Sequence, residues 1–195
     1  MNIILGSQSP RRKEILEYFS LPFTQIASDY DEDNVIFHGD PKAYAIELSQ
    51  KKAEVLSEKH LNSIIITADT VVYFQGRIFN KPKSSEEAFQ MLSELSNQWH
   101  QVYTAVTVQH NGTPFSGIEE TKILFHPLTH KQIRLYHENC SFLDKAGAYA
   151  IQQAGNIIVK HIDGCYYNVM GLPINILKEL LSKVGIDLWE FLKPC

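Results

Sequence analysis

Apolar residues along this chain alternate between short unbroken runs and runs spaced three and four apart, a pattern that predicts strands interleaved with helices. Residues 2–5 read as a buried strand, followed by a tight turn and a helix through about residue 19. Residues 41–60 read as a long helix with Pro41 near its start. The run 63–68, with Ile64, Ile65 and Ile66, is the strongest buried-strand signal, and 71–74 and 77–79 look like hairpin strands around Gln75-Gly76. Asp69 then falls at a strand end, where open α/β sheets place ligands.

Ser84-x-x-Glu87 has the form of a capping box opening a helix to about residue 96, and Thr129-x-x-Gln132 opens a second through about residue 139. Two longer strands flank Asn111-Gly112, a strong hairpin signal. Strands near 148–151 and 156–162 follow, and the last helix starts at Pro173 and is stopped by Gly185. Hairpins among βα units predict an α/β fold with a mixed sheet and flanking helices, not a purely parallel one. No repeat, low-complexity tract or Pro/Gly/Ser-rich linker divides the chain, so residues 1–195 are expected to form one domain.

Composition narrows the class. Hydrophobic residues make up 44% and charged residues 21%, which excludes disordered and collagen-like chains. A formal net charge of −4 argues against nucleic acid as a partner, although not against a local basic patch. No stretch reaches the ~20 apolar residues of a membrane span, and the N-terminal segment lacks the form of a signal peptide. Cys140, Cys165 and Cys195 show no metal or disulfide spacing and suit free thiols in a reducing compartment. The expectation is a soluble cytoplasmic protein.

Three segments carry residues that are unfavourable where they stand. In Gly6-Ser7-Gln8-Ser9-Pro10-Arg11-Arg12, Ser9 reads as an N-cap and Pro10 as the first helical residue. Arg11 and Arg12 then fall in the first turn, where the helix dipole disfavours a cation by roughly 0.3–1 kcal/mol. A bound phosphate reverses that sign, using backbone N–H groups, serine hydroxyls and guanidinium forks; the plainer alternative is arginines splayed into solvent. Lys52 lies among Ala45, Leu48, Val55 and Leu56 on the apolar stripe, so its ammonium either snorkels outward or points into an anionic site.

The third segment is Thr67-Ala68-Asp69-Thr70. Asp69 either caps a turn or joins the upstream basic residues and Lys81, in which case a divalent cation must separate carboxylate from phosphate. Asp31-Glu32-Asp33 offers a second carboxylate or a solvated loop. The segments 144–152 and 164–173 read equally as tight turns or binding loops, and an amide such as Gln152 suits a nucleobase because it donates and accepts at once.

In order and spacing these motifs resemble the Maf family of nucleoside triphosphate pyrophosphatases nearly end to end. The resemblance rests on Ser7-x-Ser9-Pro10-Arg11-Arg12, Lys52-Ala53, Ala68-Asp69-Thr70-Val71, Lys81-Pro82, Asp144-Lys145-Ala146-Gly147-Ala148-Tyr149 and Gly171-Leu172-Pro173. It implies two lobes around a central cleft, as in the inosine triphosphate pyrophosphatases, and hydrolysis between the α and β phosphates to a monophosphate and pyrophosphate. It implies Asp69 as general base, Ser7, Ser9, Arg11, Arg12, Lys52 and Lys81 around the triphosphate, and Glu32 with Asp69 near a Mg²⁺ or Mn²⁺ ion.

Arg12, Thr70 and Gln152 look like the subset acting on dTTP and UTP; the 7-methyl-GTP subset carries Gln and Glu in place of the last two. Gly6 stands where alanine is common in the family, and Gln50-Lys51 where Arg-Glu is usual. The resemblance leans towards a homodimer. Two other readings fit triphosphate binding: a nucleotidyltransferase, and a nucleotide-sensing regulator of division without turnover.

Overall fold

The computed structural model describes residues 2–194. Cys140 and Cys165 are free thiols, as expected, and Cys195 lies outside the described residues. The first strand, β1 (Asn2–Gly6), leads through Ser7 into α1 (Pro10–Leu16), capped by the Ser9 hydroxyl on the Arg12 N–H. This helix ends at Leu16, a turn earlier than the apolar pattern predicts. A two-residue strand, β2 (Thr24–Gln25), pairs with β1, and α2 (Pro41–Lys59) follows with Pro41 at its start.

The largest difference from the sequence reading lies in β3 (Ser63–Phe74), one continuous strand where two were expected. Asp69 is therefore mid-strand. Thr67 and Thr70 are β-branched and keep the backbone extended through the polar stretch. A short β4 (Arg77–Phe79) returns along β3 after Gln75 and Gly76, both at positive φ. Next come α3 (Ser85–Leu95) and the long hairpin of β5 (Trp99–His110) and β6 (Thr113–Phe125), which turns at Asn111-Gly112 as expected.

The Thr129 capping box is complete and opens α4 (His130–Asn139). At Ser84 only half the box forms: the hydroxyl caps Glu87, but the Glu87 carboxylate takes the N–H of Lys83. Residues 148–151 do not form the expected strand; no neighbouring strand pairs with them, and Ala148 sits at φ 60°. A 3-10 turn covers Gln153–Ile158 before β7 (Val159–Asp163). The segment read as a turn or loop contains a short helix, α5 (Tyr166–Met170), closed by Gly171; then α6 (Ile174–Ser182) runs towards Gly185.

The strands form one open mixed sheet in the order β2-β1-β3-β5-β6-β7, with β4 added to β3. β1 is parallel to β2 and β3, and the remaining pairs are antiparallel. Alternation along β3 separates two faces. Ile64, Ile66, Ala68, Val72 and Phe74 enter the main core with residues of α1, α3, α4 and α6, while Ile65 and Val71 pack with residues of α2 on the other side.

β5 covers β3 from Ile65 to Tyr73 along one edge. The opposite edge is shared: β1 pairs with Ser63 to Thr67, and β4 with Val72 to Phe74. Residues 68–71 are left in the gap between them, and that gap opens the cleft.

One core group titrates in an accessible range. The fully buried His100 imidazole on β5 lies edge-on to Phe125 and Tyr149, and its Nε2 is 2.9 Å from the Tyr149 hydroxyl. Burial pushes His100 from 6.5 down to about 4. An unfolded chain binds this proton below 6.5 while the folded one does not until about 4, so stability falls as pH drops across that window. The expected loss is about 3 kcal/mol by pH 4. Denaturant titrations from pH 7 to 4 should show that slope in the native chain and its loss in His100→Gln. Equal slopes would mean that His100 does not stay neutral in the fold.

Candidate active site

The gap in β3 opens into a cleft of about 740 Å³, within the range of small-ligand sites. Ser7, Ser9, Arg11, Arg12, Glu32, Lys52, Asp69, Thr70, Lys81 and Gln152 all line it, so the structure brings together every residue singled out from the sequence. They arrive from different elements. The β1–α1 turn supplies the serines and arginines, α2 supplies Lys52, β3 supplies Asp69 and Thr70, and a 3-10 turn at Glu32–Asn34 supplies Glu32.

Asp69 shares the α2 face of β3 with Thr67, whose hydroxyl donates to the Ser49 carbonyl of α2 at 2.6 Å. One turn further along α2, the Lys52 ammonium reaches Asp69 Oδ1 at 2.5 Å and Glu32 Oε1 at 2.9 Å. Lys52 and Asp69 are only 7% and 6% exposed, which rules out snorkelling for Lys52. Burial opposes the lysine's charge, but Asp69 and Glu32 outweigh it and raise its pKa. Burial also works against the Glu32 carboxylate, but the charge and hydrogen bond of Lys52 hold its pKa below the ordinary value. Lys81 Nζ stands 3.8 Å from the same Glu32 oxygen. Lys51 and Lys59 pair with Glu54 and Asp29 at the surface and take no part.

Thr70 points to the opposite face and meets Arg12. The Arg12 guanidinium donates to the Gly171 carbonyl at 2.7 Å, to Ser7 Oγ at 3.1 Å and to Thr70 Oγ1 at 3.0 Å. Burial lowers its pKa, with the charge of Asp69 opposing. Thr70 Oγ1 lies 2.9 Å from Thr104 Oγ1, which donates to the Asn168 carbonyl at 2.7 Å. The fully buried Asn168 amide donates in turn to Val102 and Thr121. Arg12 is therefore a strut set in a hydrogen-bonded wall, not a side chain splayed into solvent.

Arg11 takes the other direction, to Asp144 Oδ2 at 3.1 Å. Lys145 Nζ lies 2.6 Å from the second oxygen of that carboxylate, and the Ser141 hydroxyl donates to it as well. Partial burial works against the charged form, but the hydrogen bond and charge of Lys145, joined by Arg11, hold Asp144 down to about 2. Sequence reasoning assigned no role to Asp144, Lys145 or the Gly171 carbonyl. The Arg11–Asp144 and Arg12–Gly171 contacts span too much of the chain for any local pattern to reveal them, being 133 and 159 residues apart.

The expected cation cluster of Arg11, Arg12, Lys52 and Lys81 is present, but it is interleaved with Glu32, Asp69 and Asp144. Asp69 and Glu32 converge on one point of positive charge. Among the described residues no group of three or more His, Cys, Asp or Glu side chains forms a metal cage. Two carboxylates nevertheless fit Mg²⁺, which is held by one or two of them and completes its shell from water and phosphate.

An open mixed sheet with a cleft of paired cations and carboxylates, set where its central strand changes partner, defines an α/β protein whose cleft suits an anionic ligand. The chain belongs to the Maf-like proteins, whose family model matches residues 2–184. It is 46% identical over 191 residues to a Chlamydia caviae protein named dTTP/UTP pyrophosphatase, covering 97% of both chains. A Chlamydia pneumoniae protein named nucleoside triphosphate pyrophosphatase is 45% identical, again covering 97% of each. Among solved structures, the Ham1 protein of Staphylococcus aureus aligns with 95% of this chain and 100% of its own, with a TM-score of 0.49 and 16% identity.

Gly171 lies where the strut meets the chain. Its φ is +102°, and a Cβ there would stand 3.2 Å from Thr70 Oγ1 and 3.3 Å from Arg12 Nε. Gly171→Ala combines left-handed strain with a crowded guanidinium, and we expect a loss of about 1–3 kcal/mol of stability in urea unfolding. Stability equal to the native chain would show that Arg12 yields freely.

Proposed function

We propose that the chain is a Mg²⁺- or Mn²⁺-dependent nucleoside triphosphate pyrophosphatase acting on dTTP and UTP. The observation that carries this reading is the Lys52 ammonium held between Asp69 and Glu32, in a cleft that also presents Arg11, Arg12 and Lys81. The names of the Chlamydia relatives support the same substrates.

In this reading the triphosphate lies along Ser7, Ser9, Arg11, Arg12, Lys52 and Lys81. Three nitrogens of Arg12 are committed to protein acceptors, which fixes the plane of the guanidinium and leaves its remaining N–H groups for phosphate oxygen. Asp69 offers its second oxygen to a water, since Lys52 occupies only Oδ1. It takes a proton as the water oxygen bonds to the α phosphorus and the bond to the β-phosphate oxygen breaks, giving nucleoside monophosphate and pyrophosphate. Glu32 and Asp69 would hold the divalent ion, which neutralises charge developing on the phosphate oxygens. Thr70 and Gln152 stand nearby for the base, and the Gln152 amide oxygen is buried without a hydrogen-bond partner. The whole chain then acts as one Maf-like unit in the cytoplasm, as a homodimer whose mass light scattering would measure. No helix among the described residues is long and apolar enough to cross a membrane.

Purified protein with Mg²⁺ should release pyrophosphate from dTTP and UTP, and Asp69→Asn should lower kcat by roughly 10²–10⁴-fold. Orthophosphate as the product, no release at all, or full activity in Asp69→Asn would overturn the reading.

A further inference from the structure

None of the residues lining the cleft comes from α4, yet α4 controls the backbone of one cleft wall. Residues 149–152 have no regular structure and no partner strand. Ala150 nevertheless has both backbone groups satisfied by one side chain. Its N–H donates to the Tyr136 hydroxyl at 3.0 Å, and its carbonyl accepts from that hydroxyl at 3.1 Å. A phenol has one O–H to give and lone pairs to receive, so a single hydroxyl does here what a neighbouring strand does elsewhere. Tyr136 is buried, so water does not replace it readily, and burial pushes its pKa up to about 12, which keeps the O–H donor in place.

The flanking residues have their own anchors. His137 Nε2 is 3.3 Å from the Ala148 carbonyl, and the Tyr149 hydroxyl is 2.9 Å from His100. Beneath the loop, Gly155 packs so closely that a Cβ would lie 2.5 Å from the Ala150 carbonyl oxygen. The Gly155 N–H also donates to the Gln152 carbonyl at 3.1 Å. Ala150 is thus fixed from both sides two residues before Gln152, a residue of the cleft lining whose amide oxygen is buried without a hydrogen-bond partner.

We propose that Tyr136 is a positioning residue for nucleobase discrimination: its hydroxyl clamps Ala150 and so sets where the Gln152 amide meets the base. This rests on the pyrophosphatase reading above. An amide held so that it donates to the 4-oxo group and accepts from N3–H of uracil or thymine loses both contacts with cytosine, which presents a 4-amino group and a bare N3, whereas an amide free to flip would pair with either base. Its discrimination is only as good as its placement. Triphosphate binding, by contrast, draws on Arg11, Lys52 and Lys81, none of which touches the clamp.

The test compares the native chain with Tyr136→Phe. Three quantities are measured: kcat/KM for UTP, kcat/KM for CTP, and inhibition by inorganic tripolyphosphate, which probes the phosphate groups without a base. The UTP-to-CTP ratio should fall roughly tenfold in Tyr136→Phe, mainly through KM for UTP, with tripolyphosphate inhibition unchanged. In a Gln152→Ala background the same substitution should leave the ratio unaltered. A native ratio in Tyr136→Phe overturns the proposal, as does a parallel loss for UTP, CTP and tripolyphosphate, which would mark a general structural role. Amide exchange of Ala150 in the native chain supplies a check that needs no variant. Protection comparable to the β5 core supports the clamp, and exchange at the rate of an open loop overturns it. Failure of the native chain to release pyrophosphate from any nucleotide removes the parent reading and this one with it, whereas discrimination that survives Tyr136→Phe removes only this one.

Discussion

β3 has to serve two partners along one edge, and the cleft follows from that constraint. β1 stops at Gly6 because the chain turns at Ser7, and β4 is no longer than its hairpin allows, so the edge between them stays open at residues 68–71. On the other edge β5 pairs without interruption, which holds the half-paired stretch straight. Two neighbouring side chains in the gap then face opposite ways by the ordinary alternation of a strand, Asp69 towards α2 and Thr70 towards Arg12. A slip of one residue in register would exchange them and set a threonine against the Lys52 ammonium. The apolar residues on either side, Ile64 and Ile66 in one core and Ile65 in another, pin that register.

The electrostatics of the cleft differ from those of a simple cation sink. Its lining carries six basic residues and five acidic ones, and the bridges described above already satisfy most of them. A buried ammonium such as Lys52 is stable only because two carboxylates offset its desolvation. In the proposed reading an arriving polyphosphate would therefore exchange partners with the protein's own carboxylates. Asp144 between Arg11 and Lys145, and Glu32 between Lys52 and Lys81, occupy the positions of anions that a ligand would replace. A near-neutral cleft also reconciles phosphate chemistry with an overall charge of −4.

The mixed sheet, the Asn111-Gly112 hairpin, the Thr129 box and the long α2 were legible because each depends on residues close in sequence. Lys52 was legible for another reason, as a charge placed on an apolar stripe, whereas Asp69 was singled out as a strand-end carboxylate beside basic residues, although it lies mid-strand. The errors share a cause. Thr67-Ala68-Asp69-Thr70 reads as a break between strands because the polarity is local, whereas the pairing with β5 that carries the strand through is not. Residues 148–151 have strand-like composition, but what satisfies Ala150 is a tyrosine 14 positions away on a helix. The residues that the motif resemblance assigned to the site all line the cleft, but the resemblance was silent on their pairing, since nothing near Arg11 indicates that its carboxylate partner is Asp144. Even Gly6 acquires its reason only in three dimensions, because a Cβ there would lie 2.4 Å from the Leu56 side chain and 2.7 Å from that of Thr67.

The cleft is accordingly built in two mechanical parts. From Arg12 through Thr70 and Thr104 to Asn168, every link is a hydrogen bond within or at the edge of the core, and Gly171 seals the end of the chain of bonds. Thr104, Asn168 and Gly171 are buried and Arg12 and Thr70 only partly exposed, so this wall has little freedom to rearrange, which is what preorganised stabilisation of developing charge requires. The facing side is made of Glu32, Lys81, Arg11 and Asp144, of which all but Arg11 have side chains at least 42% exposed and all are held by ion pairs that water screens. Exchange of partners is inexpensive there and costly at the wall. In the proposed reading a ligand that brings its own negative charge exchanges with these more exposed pairs while the Arg12 wall keeps its shape, and the reacting phosphate would meet a surface that does not have to form during the reaction.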